Sequence, residues 1–359
     1  MKLLLALVGL AAVNAVVLPQ QKIAAELLKA RSISAEEEAL SGLELVNYVN
    51  QKQTLWTAKL SDKFAHFPDS VKQRLMGVKM IEVPEEDMKN ARTNDHINDD
   101  TIPDSFDARN QWPACKDSIG FIRDQSACGS CWAFGAAEAM SDRICIASNG
   151  QTKVSISTDD ILACCGAICG NGCEGGYPIQ AWKQWVKEGY VTGGNYTSKA
   201  GCKPYPYPPC EHHNDHTTYQ NCPADLYPTD SCRRTCQDGY SLSYKQDIHM
   251  GATAYAVAHT VAALQKELMT NGPIELSYTV YEDFEHYTGG VYIHTAGKNL
   301  GGHAVKLIGW GTDAASGTPY WLIANSWNSD WGENGFFRII RGVNECGIES
   351  GGVAGEPKL

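Results

Sequence analysis

Apolar residues keep a different rhythm in each part of this chain. Met1-Lys2 is followed by an unbroken apolar run from Leu3 to Val13, 11 residues, where a membrane-spanning helix needs about 20. A basic start, a short apolar stretch and small residues at Val13 and Ala15 read as a secretory signal over 1–15, the alternative being a buried N-terminal helix. Residues 16–101 are largely polar, with Glu36-Glu37-Glu38 and Asn98-Asp99-Asp100 as charged punctuation, and 90–101 reads as an exposed linker open to proteolysis. A helical period then appears: Ala133, Ala137, Met140 and Ile144 fall on one face of a helix beginning near Cys131. Ser157 followed by Asp160 predicts a capped helix start ahead of Ile161-Leu162. After about residue 255 the pattern becomes strand-like, in Ile274–Leu276, Val291–Ile293, His303–Leu307, Tyr320–Ile323 and Phe336–Ile340, with Gly, Asn and Asp between the runs. A helical half facing a β half suits an enzyme with a cleft.

Composition adds the compartment. All 14 cysteines lie from Cys115 onward, and with a secretory start they read as mostly paired in disulfides. The cysteine-free stretch ahead of them is a separate small domain or a pro-segment removed on maturation. The net charge of −11 argues against nucleic acid or an anionic membrane as main partner, since phosphate contacts need clustered Lys and Arg. No second apolar stretch approaches spanning length.

The chemical signal is concentrated at residues 125–134. Gln125-Ser126-Ala127-Cys128-Gly129-Ser130-Cys131-Trp132-Ala133-Phe134 puts Cys131 at a helix N-terminus, where the helix dipole favours a thiolate and makes the sulfur nucleophilic near neutral pH. Gln125 could aim a side-chain amide at an oxyanion. By itself Cys128-Gly129-Ser130-Cys131 is ambiguous, since a redox pair or half a zinc site has the same spacing. Gly301-Gly302-His303-Ala304 places a histidine at the head of a strand as a candidate base, and Asn325-Ser326-Trp327 follows another strand with an amide that could orient the imidazole.

The order Gln125, Cys131, His303, Asn325 resembles the papain-like cysteine peptidases, and the Cys-Gly-Ser-Cys-Trp run is a documented signature of that family. The resemblance spans roughly Ile102 to Gly355 and is strongest to the cathepsin B branch. It implies an α+β, papain-like two-domain fold: a helical domain over about 114–252, a β-barrel-like domain over about 253–350, and the active-site cleft between them. It also implies a signal peptide (1–15), an inhibitory propeptide (16–101) and a mature peptidase (102–359). Cys131 would be nucleophile, His303 base and later acid, Asn325 its orienter and Gln125 the oxyanion donor, with Trp327 shielding the Asn–His contact. Gly175 and Gly176 would pair with extended substrate. Trp56-Thr57-Ala58 and Met76-Gly77 resemble a propeptide that runs through the cleft backwards. The implied disulfides are Cys115–Cys145, Cys128–Cys173, Cys164–Cys232, Cys165–Cys169, Cys202–Cys236 and Cys210–Cys222, leaving Cys131 and Cys346. Implied partners are peptide and protein substrates, the chain's own propeptide and cystatin-type inhibitors, acting on a monomer with no cofactor and no metal. The implied location is the secretory pathway, ending in lysosomes or outside the cell, with a gut lumen as one possibility.

Spacing sharpens the resemblance. The family's His and Asn follow the Cys by about 130–150 residues. Here 303 − 131 = 172 and 325 − 131 = 194, so an insertion lies between them. The Cys- and Pro-rich stretch 202–236 fits, and its Pro208-Pro209-Cys210-Glu211-His212-His213 resembles the occluding loop that gives cathepsin B its dipeptidyl carboxypeptidase activity. His212 and His213, with His216 nearby, could alternatively hold a metal. Three departures stand out. Ser126 replaces a usual glycine, and a positive φ there would strain it. No arginine lies between Cys210 and Cys222 to pair with Asp330, leaving Asp124 to hold His212. Gly351 stands where the branch has an S2 glutamate, so bulky apolar P2 residues are expected in place of Arg. Asn195-Tyr196-Thr197 is the usable glycosylation sequon.

Overall fold

The computed structural model describes residues 32–61, 64, 67–210, 220 and 222–359. The signal sequence expected at 1–15 and the loop histidines His212, His213 and His216 lie outside them. The described helices of seven or more residues are α1 (Gly42–Lys52), α2 (Asp69–Leu75), α3 (Cys131–Ala147), α4 (Thr158–Cys164), α5 (Pro178–Lys187) and α6 (Val261–Asn271). The strands are β1 (Trp56–Ala58), β2 (Phe106–Asp107), β3 (Tyr255–Ala256), β4 (Ile274–Tyr281), β5 (Tyr287–Tyr292), β6 (Asn299–Thr312), β7 (Pro319–Ala324), β8 (Phe336–Ile340) and β9 (Val353–Ala354). No helix among the described residues is long and apolar enough to cross a membrane.

Helix α3 is buried along nearly its whole length, as its small residues Ala133, Ala136, Ala137 and Ala139 allow. It packs on β6. That contact is fixed by a fully buried ion pair, Lys306 Nζ to Asp142 Oδ2 at 2.7 Å. A second tie runs from Arg143 to Glu267 of α6 at 3.0 Å and to the carbonyls of Gly272, Pro273 and Gly355. Breaking one partner of such a buried pair strands the other charge and costs on the order of 3–5 kcal/mol. The cap expected at Ser157 is present: its Oγ accepts from the Asp160 N–H at 3.0 Å. Helix α6 departs from the all-strand pattern expected beyond 255. Val261–Asn271 is rich in Ala, Leu, Gln, Lys and Glu, and Thr260 Oγ1 accepts from the Ala263 N–H at 3.1 Å, so propensity and a cap together open a helix before β4.

The strands run β1-β5-β8-β7-β6-β4-β9-β3, with β2 also paired to β6. Pairing is antiparallel except β5 with β8. In register, His303 faces Tyr278 and Ala304 faces Ser277. His303 therefore lies five residues into a long strand rather than at its head. The segment before Ile102 is part of this architecture. Its β1 pairs with β5, and Trp56 is buried with its indole N–H on the Ile293 carbonyl at 2.9 Å. Six disulfides join Cys115–Cys145, Cys128–Cys173, Cys164–Cys232, Cys165–Cys169, Cys202–Cys236 and Cys210–Cys222. Cys131 and Cys346 belong to none of them.

Candidate active site

Cys131 is the first residue of α3, with its sulfur fully buried. The backbone N–H groups of Gly77, Ala304 and Trp132 donate to that sulfur, the first at 3.2 Å. Ala304 adjoins His303, so β6 brings the expected base beside the expected nucleophile. His303 Nε2 and Asn325 Oδ1 are 2.8 Å apart, and the Trp327 ring lies 4.9 Å from the imidazole, centroid to centroid. The other ring nitrogen, Nδ1, has no hydrogen-bond partner. Gln125 Nε2 donates to the Cys128 carbonyl at 2.9 Å and to the Leu75 carbonyl at 3.1 Å. Its Oε1 accepts from Ser326 Oγ at 2.9 Å. Ser326 thus orients the amide. It sits inside the run Asn325-Ser326-Trp327, yet an isolated serine gave no chemical signal to single it out.

The N-terminal segment covers this site as an extended strand. Gly176 N–H donates to Gly77 O at 2.8 Å, Lys79 N–H to Gly176 O at 3.0 Å, and Val78 N–H to Gly302 O at 2.9 Å. Val78 pairs with Gly176 in the parallel sense. The approach needs glycine at 77, where a Cβ would fall 1.9 Å from the Gly129 carbonyl oxygen. Gly175 takes φ +97°, and a Cβ there would meet Gly77 O at 2.9 Å. Ion pairs reinforce the cover, including Arg74 to Glu174 and Asp225 and the more buried Lys72 to Glu285.

Electrostatics under the cover run against the expectation from the helix alone. Burial pushes the Cys131 thiol up to about 12, against the pull of the three N–H donors. Burial likewise drives His303 down to about 4, against the Asn325 contact. A helix N-terminus does stabilise a thiolate, but here desolvation by the overlying strand is larger. The covered pair is neutral thiol beside neutral imidazole.

The remaining predicted positions are placed as follows. Gly351 is buried beside a cavity of about 210 Å³ lined partly by Met80, Ile81, Ile179 and Ser277. A Cβ on Gly351 would lie 2.6 Å from Ser277 O and 2.8 Å from Ile81 O. Asn195 is exposed. Asp124 accepts from Ser126 N–H at 2.6 Å and from Asn328 at 3.2 Å. Ser126 does adopt φ +56°, and its Oγ donates to the Pro208 carbonyl at 2.5 Å. Tyr205 Oη reaches Gln125 O at 2.8 Å, and Tyr227 N–H reaches Ala127 O at 2.8 Å. The described residues of the insertion, through Tyr205, Pro208 and Tyr227, are therefore seated on the stretch that carries Gln125. Cys128, in its disulfide with Cys173, is not a redox partner for Cys131.

A cysteine at a helix N-terminus, a histidine hydrogen-bonded to the asparagine that follows the neighbouring strand and a glutamine amide held on the Cys128 carbonyl are the parts of a cysteine peptidase site, and the chain belongs to the papain family of cysteine proteases, whose model matches residues 102–355. Within that family it is cathepsin B-like. It is 56% identical over 333 residues to cathepsin B-like cysteine proteinase 6 of Caenorhabditis elegans, covering 92% of this chain and 86% of the relative. It is 51% identical over 322 residues to the gut-specific cysteine proteinase of the same organism, covering 90% and 92%. Among solved structures, procathepsin B S9 from Trypanosoma congolense superposes with a TM-score of 0.70 at 34% identity, covering 90% of this chain and all of that one.

Proposed function

We propose that this chain is the zymogen of a digestive or lysosomal cathepsin B-like endopeptidase that also removes C-terminal dipeptides. The observation that supports the reading is the convergence of Cys131, Gln125 and the His303–Asn325 pair beneath a strand that blocks them. In this reading residues 16–101 are the propeptide and Cys131 is the nucleophile. When the strand withdraws, water reaches the sulfur and the desolvation that holds the pair neutral is relieved. The helix N-terminus and the adjacent imidazole then favour a Cys131 thiolate beside a His303 imidazolium. The thiolate attacks the peptide carbonyl, and Gln125 Nε2 with the Cys131 N–H receives the oxyanion in the place now taken by Leu75 O. His303 protonates the leaving amine, then accepts a proton from the water that hydrolyses the thioester. Asn325 holds the imidazole in plane with this transfer, and Trp327 keeps water from their contact.

Substrate backbone is taken to pair with Gly176, using the N–H and C=O that now hold Gly77 and Lys79. The insertion 202–236 supplies the exopeptidase restriction, with His212 and His213 gripping a free C-terminal carboxylate. Gly351 leaves the S2 pocket uncharged. A secreted or lysosomal destination follows from the expected signal, and the gut assignment draws on the named role of one relative. Cystatin-type proteins are the inhibitors this cleft would accept. The test is acid activation of the full chain, then profiling on N-blocked peptides with free or amidated C-termini. Dipeptide release from free C-termini together with internal cleavage is expected, and Cys131→Ala abolishes both. Cleavage confined to internal bonds would remove the exopeptidase half of the proposal; none after activation, with Cys131 unreactive towards an epoxysuccinyl inhibitor, would remove the whole.

A further inference from the structure

The turn between β4 and β5 holds a cluster that peptide hydrolysis does not use. Glu282–His286 forms one 3-10 helix, whose three residues per turn bring positions 282 and 285 over one another. Glu282, Glu285 and His286 are 2%, 0% and 2% exposed. Their ligand-type atoms all lie within 4.8 Å of one another. Two acids and an imidazole packed this closely out of water need a positive charge and donors.

In the covered chain the N-terminal segment provides them. Lys72 Nζ lies 3.0 Å from Glu285 Oε2 and 3.6 Å from Glu282 Oε1. The Ser61 N–H donates to His286 Nδ1 at 3.2 Å. Lys298 reaches Glu282 at 3.4 Å but is shared with Asp69, at 2.6 Å. Even so, Glu285 Oε1 and His286 Nε2 remain buried with no hydrogen-bond partner. Loss of the segment takes away the Lys72 ammonium and the Ser61 N–H together, leaving Lys298 as the nearby cation.

We propose that Glu282, Glu285 and His286 form a site for a divalent metal ion of the zinc class, filled by Lys72 while the chain is closed and opened when the segment leaves. Two carboxylates and one neutral imidazole on one short turn match the ligand chemistry of such ions, which would leave remaining positions to water. Ion and ammonium compete for the same oxygens, so a bound ion opposes return of the segment.

The test uses the full chain carrying Cys131→Ala, which stays uncleaved and lacks the thiol as a competing ligand. Zinc alone is titrated into this protein and into the same protein with Lys72→Met, and binding is read by calorimetry. Zinc held by other histidines is common to both. Lys72→Met is expected to gain one equivalent at least tenfold tighter than background, and adding Glu285→Gln to return it to background. No gain, or a gain that survives Glu285→Gln, overturns the proposal. Should Lys72→Met not fold, exchange of the Val78 and Lys79 amides in the Cys131→Ala chain decides. Zinc is expected to speed that exchange several-fold, and zinc-independent exchange overturns the proposal.

Discussion

Substituting Ser126 separates two effects that oppose each other at one residue. Its Oγ donates to Pro208 O at 2.5 Å, and its backbone sits at φ +56°. The left-handed conformation costs a non-glycine residue about 1–2 kcal/mol. The hydroxyl bond contributes a net ~1 kcal/mol, and a buried acceptor left unmet costs about 1–3 kcal/mol. Ser126→Ala keeps the strain and loses the bond, so it should weaken the seating of the insertion by roughly 1–3 kcal/mol. Ser126→Gly loses the same bond but relieves the strain, offset by about 0.5–1 kcal/mol of glycine chain entropy. It should therefore lie between wild type and Ser126→Ala. The assay is hydrogen exchange at the Tyr227 amide, which donates to Ala127 O beside this residue. The expected order of protection is wild type, then Gly, then Ala, with Ala about one to two decades below wild type. Ala equal to wild type, or Gly below Ala, would refute the reasoning.

Three further outcomes follow from the covered site. Gly77→Ala drives a Cβ to 1.9 Å from Gly129 O, so the uncleaved chain should lose latency and hydrolyse a small blocked substrate at neutral pH, where the parent does not. His303 has a covered value of about 4 against 6.5 ordinarily. Because the value is lowered, its contribution to closure is fully present above pH 6.5 and is lost as pH falls towards 4, about 3 kcal/mol in all. In Cys131→Ala, exchange at Val78 and Lys79, corrected for its intrinsic pH dependence, should rise up to two decades over that range, and His303→Gln should flatten the rise; an unchanged slope would count against it. With no acid at Gly351, the activated enzyme should prefer Phe-Arg over Arg-Arg substrates, and the reverse preference would contradict the apolar S2 reading.

Much of the cleft was legible because its residues carry local signals. A cysteine ahead of an Ala-rich helical face, glycines around His303 and an Asn after an apolar strand can each be read in a few residues. The disulfide pairing came from family resemblance, since cysteine positions by themselves permit many connectivities. What escaped depends on contacts distant in sequence. Ser326 matters through Gln125, 201 positions away, and Tyr205 through the Gln125 carbonyl, 80 away. Helix α6 was missed because the strand runs around it dominated the pattern. The neutral state of Cys131 and His303 is a product of burial by residues 75–79, and no property of the 125–134 run reports it.

The way that strand meets the sulfur has a consequence for inhibitor chemistry. Gly77 offers Cys131 an N–H, so the nucleophile meets a proton donor on a strand that runs parallel to Gly176, while the carbonyl of Leu75 accepts from the Gln125 amide. Resistance to cleavage then resides in the direction of the backbone more than in the identity of its side chains. Short peptides copying residues 75–79 in the native direction should act as ligands that are not consumed. N-methylation at Gly77 alone removes the donor aimed at the sulfur, which makes that single amide the point at which such a ligand can be weakened by design.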